Sequence, residues 1–499
     1  MRNDHRRLAR RAREGLKRAD LSAPEHGPHD AVSLSDAIAN AGISDVSVDP
    51  VTGIGIGFTP DGRGAVIELA TALRLARGTS GYTLQNATLA KFIADTIKTL
   101  WSTRDASTLT DGDFEELENA IADWFASHDV VRQHVVPCTV FATPVGPFTI
   151  GPVTFYHARE LPTEMFGMKA DEFWPPAPPP WKRRLDAIWA AIRNREVKTP
   201  KPGGWQLGHL LEFAAARNAP YLAIVEVSGR APKESTVVAE MATDIALSAI
   251  QLVCPGQDLR VLSRATARTA PIYPVRTSRI GSDPLSTELS NRQPGLARPP
   301  ELVRAHLDAT RPLLDRMERR LTAYVGAEEA FAKLNEAWCN AAYWYHEALA
   351  EPLDTVAVAK LETAIEVLMR AESTKGSKRR LLEGFNAFFG LSADDPIAGS
   401  TTTVKDVVTA ITTARSRILH GTWPTLHTDL PTAKGTPPIA FGTVEELARL
   451  LLLLFAQHLD AYAEDGRSTD DTTAFLEWVK RTRRNAGSEA SDDDASSGT

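Results

Sequence analysis

The chain has 499 residues, of which 43% are hydrophobic and 24% are charged, and its formal net charge is −7 at pH 7. This length exceeds one ordinary hydrophobic core, so the composition predicts a soluble protein of two or three domains. The negative charge excludes a protein that coats nucleic acid with its whole surface, so any RNA binding is expected to be local. Cys138, Cys254 and Cys339 form no metal-spaced pair and no disulfide framework, which is typical of a reducing compartment.

The first twenty residues contain eight arginines and lysines. We interpret residues 1–30 as a basic N-terminal arm, for which contact with RNA phosphates and a solvated terminus are alternative roles. This segment lacks the apolar core of a secretory signal. The apolar run at 450–455 is far too short to span a bilayer, so we expect a cytoplasmic protein with no membrane-spanning segment.

Residues 31–268 mix strand and helix patterns and predict an α+β region that senses a signal or binds a substrate. Gly53, Gly55 and Gly57 alternate with apolar residues inside a strand pattern and open no helix, so a dinucleotide site is not expected. The strand patterns cover 45–58, 135–141, 148–155 and 221–227. The helix patterns cover 65–77, 86–101, 113–127 and 234–252.

Residues 269–300 are rich in proline, serine and arginine, and we predict a linker there. Residues 301–484 carry repeated amphipathic helix patterns with short connections, which predict an all-α bundle. Residues 485–499 are acidic and rich in serine and are expected to be disordered, because they cannot bury a core. The predicted fold is therefore an α+β N-terminal region followed by an all-α C-terminal helical bundle.

One of these helices places an arginine and a histidine at its C-terminal end. Apolar residues at helical spacing lead to Arg415 and His420, and Gly421 and Pro424 supply a stop signal. Five residues rotate about 140° around a helix, so the two side chains would share a face only if the helix ended at His420 and freed its ring. The carbonyls of the last turn also favour a positive charge on this ring, which would help it to donate a proton.

An arginine and a histidine can together cleave RNA without a metal. Arg415 would stabilise the charge that develops on phosphorus, and His420 would transfer a proton. Ser416 could orient the arginine or bind a phosphate, and Arg417 could hold substrate. The alternative is a helix-end arginine and a histidine that compensates the helix dipole, with no chemistry.

The segment Arg415, Ser416, Arg417, Ile418, Leu419, His420 resembles the motif of the HEPN superfamily, and Arg-Ser followed by Ile-Leu-His-Gly is most similar to the Apea-like branch. An acidic and apolar helix at 360–369 precedes it, as in that branch. Thr412 is a departure, because the branch often has tyrosine three residues before the arginine.

The resemblance implies a HEPN-like bundle that forms a homodimer and cuts RNA in bacterial stress or antiphage defence, without a metal or other cofactor. It also implies that a regulatory ligand or a phage trigger acts at the N-terminal region. A non-catalytic HEPN module for dimerisation or for RNA or nucleotide binding remains the alternative.

Two further groups of charged residues accompany the motif. Lys378, Arg379 and Arg380 form a basic cluster between two helices of the bundle, and both RNA-phosphate binding and a solvated loop are open interpretations. Glu362 and Glu366 lie one turn apart on a helix with no accompanying histidine, so no metal site is expected. One of these glutamates is expected to neutralise Arg415.

Overall fold

The computed structural model describes residues 2–21, 34–48, 54–77, 84–166, 202–217, 219–254, 262–265, 275–278, 286–289, 295–328, 330–351, 353–371, 374–397, 401–420 and 439–496. Contacts divide the chain into two compact units. The first unit comprises Met1–Arg132, Val227–Val238 and Gly326–Glu329. The second unit comprises Gln133–Glu226, Ala239–Val325 and Ala330–Thr499.

The first unit is an α+β structure. Its strands form one antiparallel sheet of order β1-β3-β2, with β1 at Leu16–Asp20, β2 at Ser44–Val48 and β3 at Ile54–Phe58. Its helices are α1 at Asn3–Glu14, α2 at Leu34–Ala41, α3 at Pro60–Ala76, α4 at Asn86–Trp101 and α5 at Asp111–His128. The strand pair and the last three helices agree with the predicted segments, because each is amphipathic and has local start signals. Thr59, for example, caps α3 by accepting a hydrogen bond from the backbone of Gly62.

Within the predicted basic arm, residues 3–20 are a packed helix and the first strand of the sheet, and residues 1 and 22–30 lie outside the described residues. Ala9 and Ala12 of α1 are fully buried in the hydrophobic core of the first unit. Arg11 forms ion pairs with Asp61 at 2.5 Å and with Glu68 at 3.4 Å. Acidic residues distant in sequence therefore neutralise part of the basic charge, and small apolar residues between the arginines provide a buried face.

The second unit contains a five-stranded sheet of order β5-β6-β7-β4-β8. Its strands are β4 at Arg132–Thr139, β5 at Phe148–Ile150, β6 at Val153–His157, β7 at Tyr221–Val227 and β8 at Ser263–Arg264. Between β6 and β8 in the chain lie the helices α6 at Pro202–Ala216 and α7 at Pro232–Val253. The turn between β5 and β6 uses Gly151 at φ +56°, a conformation that favours glycine.

The predicted linker at 269–300 does not coincide with the division between the units. Within it, β9 at Val275–Ser278 and β10 at Ser286–Leu289 pair as an antiparallel ladder. The strands at 133–226 belong to the same unit as the C-terminal helices. The division into two units depends on pairing between strands that are distant in sequence, and local composition does not reveal such pairing.

Within the described residues, α7 is the one helix that is long and apolar enough to cross a membrane by length and composition. Most of its apolar window, 72%, is buried inside the structure. A buried helix of this kind is typical of the core of a soluble protein.

The C-terminal half of the second unit is helical. Its helices are α8 at Pro300–Ala309, α9 at Arg311–Val325, α10 at Ala332–Leu349, α11 at Asp354–Leu368, α12 at Thr374–Phe389, α13 at Val404–Leu419, α14 at Phe441–Glu464 and α15 at Thr472–Ser496. Polar contacts connect α10 to α14 and α9 to α14. The indole Nε1 of Trp338 donates to the carbonyl of Leu452 at 3.0 Å, and Asp460 accepts from Arg320 at 2.8 Å.

The acidic tail predicted to be disordered from Asn485 begins inside α15, which continues to Ser496. Each residue added to an existing helix gains one backbone hydrogen bond, so a packed helix can extend into a segment that buries no core of its own.

Candidate functional site

The helix α13 carries the predicted Arg415 and His420. Thr403 and Asp406 form a capping box at its start, where the hydroxyl of Thr403 accepts from the backbone of Asp406 at 3.2 Å. The helix ends at Leu419, and His420 is its C-cap residue, whose backbone N–H donates to the carbonyl of Ser416 at 3.0 Å. This confirms the predicted end of the helix. The predicted stop residues Gly421 and Pro424 lie outside the described residues.

The guanidinium of Arg415 binds the carboxylate of Glu366 on the neighbouring helix α11. The two helices pack against each other, Glu366 is buried, and Arg415 is partly exposed. The prediction that one of the two glutamates neutralises Arg415 is therefore confirmed. Arginine has five N–H donors, so an ion pair at one of them fixes the guanidinium and leaves donors for a phosphate.

Glu362 lies one turn before Glu366 and is 1% exposed. Its Oε2 has no hydrogen-bond partner among the described residues. Burial and, after it, the negative charge of Glu366 raise the pKa of Glu362 to about 8, and Arg415 opposes the shift. At neutral pH, Glu362 is therefore mostly protonated.

His420 is exposed at the end of α13, on the same side as the exposed Ser416 one turn earlier. Leu419 beside it is 67% exposed. Within the described part of the chain, no hydrogen bond joins His420 to Arg415. One chain thus presents the arginine toward α11 and the histidine toward solvent, because about 140° of helix rotation separates them.

The predicted RNA-binding cluster does not lie between two helices, because Lys378, Arg379 and Arg380 are inside α12. Glu383 on the next turn pairs with Arg379 at 3.5 Å and with Arg380 at 2.9 Å. The continuing helix pattern of the following residues was the signal for this placement. The predicted substrate-holding residue Arg417 is partly exposed on α13, two residues beyond Arg415.

Sequence reasoning missed two features of the site. The first is the burial of Glu362, which depends on how α11 packs. The second is the basic run from Lys480 to Arg484 on α15, a helix that packs against α12. The run itself is visible in the sequence, but its position beside α12 is not. Among the residues that the structure describes, no group of three or more His, Cys, Asp or Glu side chains is placed to hold a metal ion.

Comparisons with known proteins do not assign the chain to a family. No family model matches it, and neither a curated protein nor a solved structure matches it. The side chains around Arg415 and His420 are therefore the basis for the function proposed next.

Proposed function

We propose that the C-terminal helices form a metal-independent endoribonuclease of the Apea-like HEPN type that acts as a homodimer. The observation that carries this proposal is the arrangement at α13. Arg415 is fixed by Glu366, whereas His420 and Ser416 remain exposed on the last turn. A fixed cation and an exposed proton-transfer group are the minimum that phosphodiester cleavage by RNA's own 2′-hydroxyl requires.

In the proposed reaction, the 2′-oxygen attacks phosphorus and its proton passes to a neutral His420. The bond from phosphorus to the 5′-oxygen breaks, and a protonated His420 gives its proton to that oxygen. Arg415 stabilises the pentacoordinate phosphorus through donors that Glu366 does not occupy. The products are a 2′,3′-cyclic phosphate and a free 5′-hydroxyl.

This scheme needs an acid and a base at the same time, and a two-fold dimer supplies two histidines. Arg415 and His420 of one chain lie on different sides of α13. A dimer can still bring the two residue types together, because an arginine of one chain can face a histidine of its partner. The exposed Leu419 supports an interface at this turn, since it would be buried there.

Replacing Leu419 by aspartate should convert the dimer to a monomer and lower RNA cleavage by about tenfold or more, because a charge would have to be buried in the interface. Light scattering after size-exclusion chromatography gives the mass, and a cleavage assay gives the activity. Leu302→Asp is the matched control, because Leu302 is 60% exposed on α8, away from this turn. A Leu419→Asp protein that stays dimeric would contradict an interface at this position.

The proposal as a whole is tested by incubating the purified protein with total RNA, with and without EDTA, beside His420→Ala. We expect cuts that resist EDTA and leave 2′,3′-cyclic phosphate ends, and a loss of about 10²–10⁴-fold in the variant. His420 is exposed, so the variant should fold normally. Cleavage that persists in His420→Ala, or that stops with EDTA, would refute the proposed mechanism.

The alternative is a non-catalytic HEPN module for dimerisation or for binding RNA or a nucleotide. It is favoured by the ion pair that already occupies Arg415 and by the lack of a hydrogen bond from this arginine to His420 among the described residues. RNA binding without cleavage in the same assay would select it. A role in bacterial stress or antiphage defence, with a ligand or phage trigger acting at the N-terminal α+β region, belongs to the proposal through the resemblance of the motif.

A further inference from the structure

Two packed helices of the second unit, α12 and α15, concentrate positive charge on a chain whose net charge is −7. Over 376–389 and 472–485 they carry seven basic and two acidic side chains, whereas the rest of α15 carries the acidic residues Glu489, Asp492, Asp493 and Asp494. The basic residues are Lys378, Arg379, Arg380, Lys480, Arg481, Arg483 and Arg484. We name this set the α12–α15 basic surface. A local surface of this kind is the electrostatic feature expected of a nucleic-acid contact on an acidic protein.

One of these cations holds the two helices together. Arg483 donates to the carbonyls of Asn386 and Ala387 at the end of α12, at 3.1 and 3.2 Å. By contrast, among the described side chains, no ion pair within 4 Å involves Lys480, Arg481 or Arg484, although the charge of Arg481 acts on the carboxylate of Asp465. Arg481 and Arg484 are exposed, and Lys480 is partly exposed. These three cations are therefore available to an external anion.

The same two helices and the loop after α12 enclose an open groove of about 380 Å³. This volume is within the range of about 300–1,000 Å³ found for small-ligand sites. Arg379 and Lys480 line it, and Leu382 and Leu476 give it an apolar part. Asn386 also lines it, and the buried Oδ1 of this amide has no hydrogen-bond partner among the described residues.

The residues that line the groove fit a ligand that has both apolar and polar groups, and not only an anion. Its lining includes the carboxylates of Glu383 and Glu477 as well as the two cations, so the groove itself has no net charge. Apolar surface next to amide and carboxylate acceptors fits the flat face and the amino groups of an unstacked base. The cations around the groove fit the phosphates on either side of such a base.

Helix α13 links this groove to the proposed cleavage site. The start of α13 is hydrogen-bonded to the segment just after α12, with Lys405 N donating to the carbonyl of Ala393 at 2.8 Å. The two helices also pack against each other. Ala393 lines the groove, so the groove lies at the start of α13, and Arg415 lies about 15 Å further along this helix at 1.5 Å per residue.

We propose that the α12–α15 basic surface binds single-stranded RNA, with an unstacked base in the groove and the flanking phosphates on Lys480, Arg481 and Arg484. This inference rests on the proposed ribonuclease function and names the form of its substrate. A continuous duplex would present phosphates but no free base, so it should use the surface less well.

The test measures binding by fluorescence anisotropy, with a labelled 20-nucleotide RNA strand and full-length protein carrying His420→Ala, which prevents cutting. Adding Lys480→Ala, Arg481→Ala and Arg484→Ala should weaken binding about tenfold or more. It should also lower the slope of log affinity against log salt by about 2, since each phosphate contact on a single strand contributes about 0.7.

The matched control removes three exposed lysines outside the α12–α15 basic surface and away from the groove lining, Lys17, Lys91 and Lys233, and so changes the net charge equally. We expect the control to bind nearly as tightly as the parent. Equal affinity of the two triple variants would overturn the proposal, provided that circular dichroism and melting show both to be folded.

Two competitors test the form of the nucleic acid. An RNA duplex of the same sequence, and a DNA strand of the same sequence, should each displace the labelled RNA less well than unlabelled RNA does. A duplex that competes equally would overturn the base-binding groove, and a DNA strand that competes better would overturn the assignment to RNA. Because binding is measured on a variant that does not cut, a failure of cleavage in the wild-type protein would refute the proposed function without deciding this inference.

Discussion

Replacing Arg415 by alanine should lower RNA cleavage by about 10²–10³-fold, the usual cost of removing one group that stabilises a charged transition state. The change also leaves the buried carboxylate of Glu366 without its arginine. Because Arg415 is partly exposed, this loss should cost only about 1–2 kcal/mol of stability. Cleavage rates per folded protein and thermal melting measure the two effects separately.

Three comparisons separate catalysis by Arg415 from its structural ion pair. Arg415→Lys keeps the charge but loses the planar fork, so it should recover stability better than cleavage. Glu366→Gln breaks the same ion pair but keeps the arginine, so it should cleave much faster than Arg415→Ala. Arg417→Ala removes a cation two residues away and should raise KM with little change in kcat. If Arg415→Ala is folded and cleaves like the wild type, Arg415 has no catalytic role.

Replacing Glu362 by glutamine should stabilise the protein at pH 9 and have little effect at pH 5. The folded-state pKa of Glu362 is raised from its ordinary value of 4.5 to about 8 by burial. The folded state therefore holds this proton more tightly than the unfolded state, and stability falls as the pH rises from about 4.5 to about 8. Glutamine is neutral at every pH and avoids this loss, which we expect to be about 2–4 kcal/mol.

Thermal midpoints of the wild type and Glu362→Gln at pH 5, 7 and 9 provide the measurement. The wild-type midpoint should fall toward pH 9 more steeply than that of the variant. Glu336→Gln is the control, because Glu336 is an exposed glutamate on α10 and should show the wild-type pH dependence. A Glu362→Gln protein destabilised by the same amount at pH 5 and pH 9 would show that the native carboxyl group is already ionised or hydrogen-bonded.

The sequence alone determined those features that depend on neighbours within one or two turns. The periodicity of apolar residues located α4 and α7, and the short apolar run at 221–227 located β7. The helix that carries Arg415 was predicted to end at His420, and its last residue is Leu419. Even the pairing of Arg415 with a glutamate was predicted, because an arginine on a packed helix needs a nearby carboxylate and the preceding helix offered two.

Only the tertiary structure decided features that depend on residues distant in sequence. The eight basic residues at the start of the chain predicted a basic arm, but Ala9, Ala12 and the carboxylate of Asp61 make its first part a packed helix. The burial that raises the pKa of Glu362 comes from the helices around α11. The surface formed by α12 and α15 unites two basic runs about a hundred residues apart. Local patterns record which face of a helix is apolar, whereas the packing of distant elements decides which charges come together.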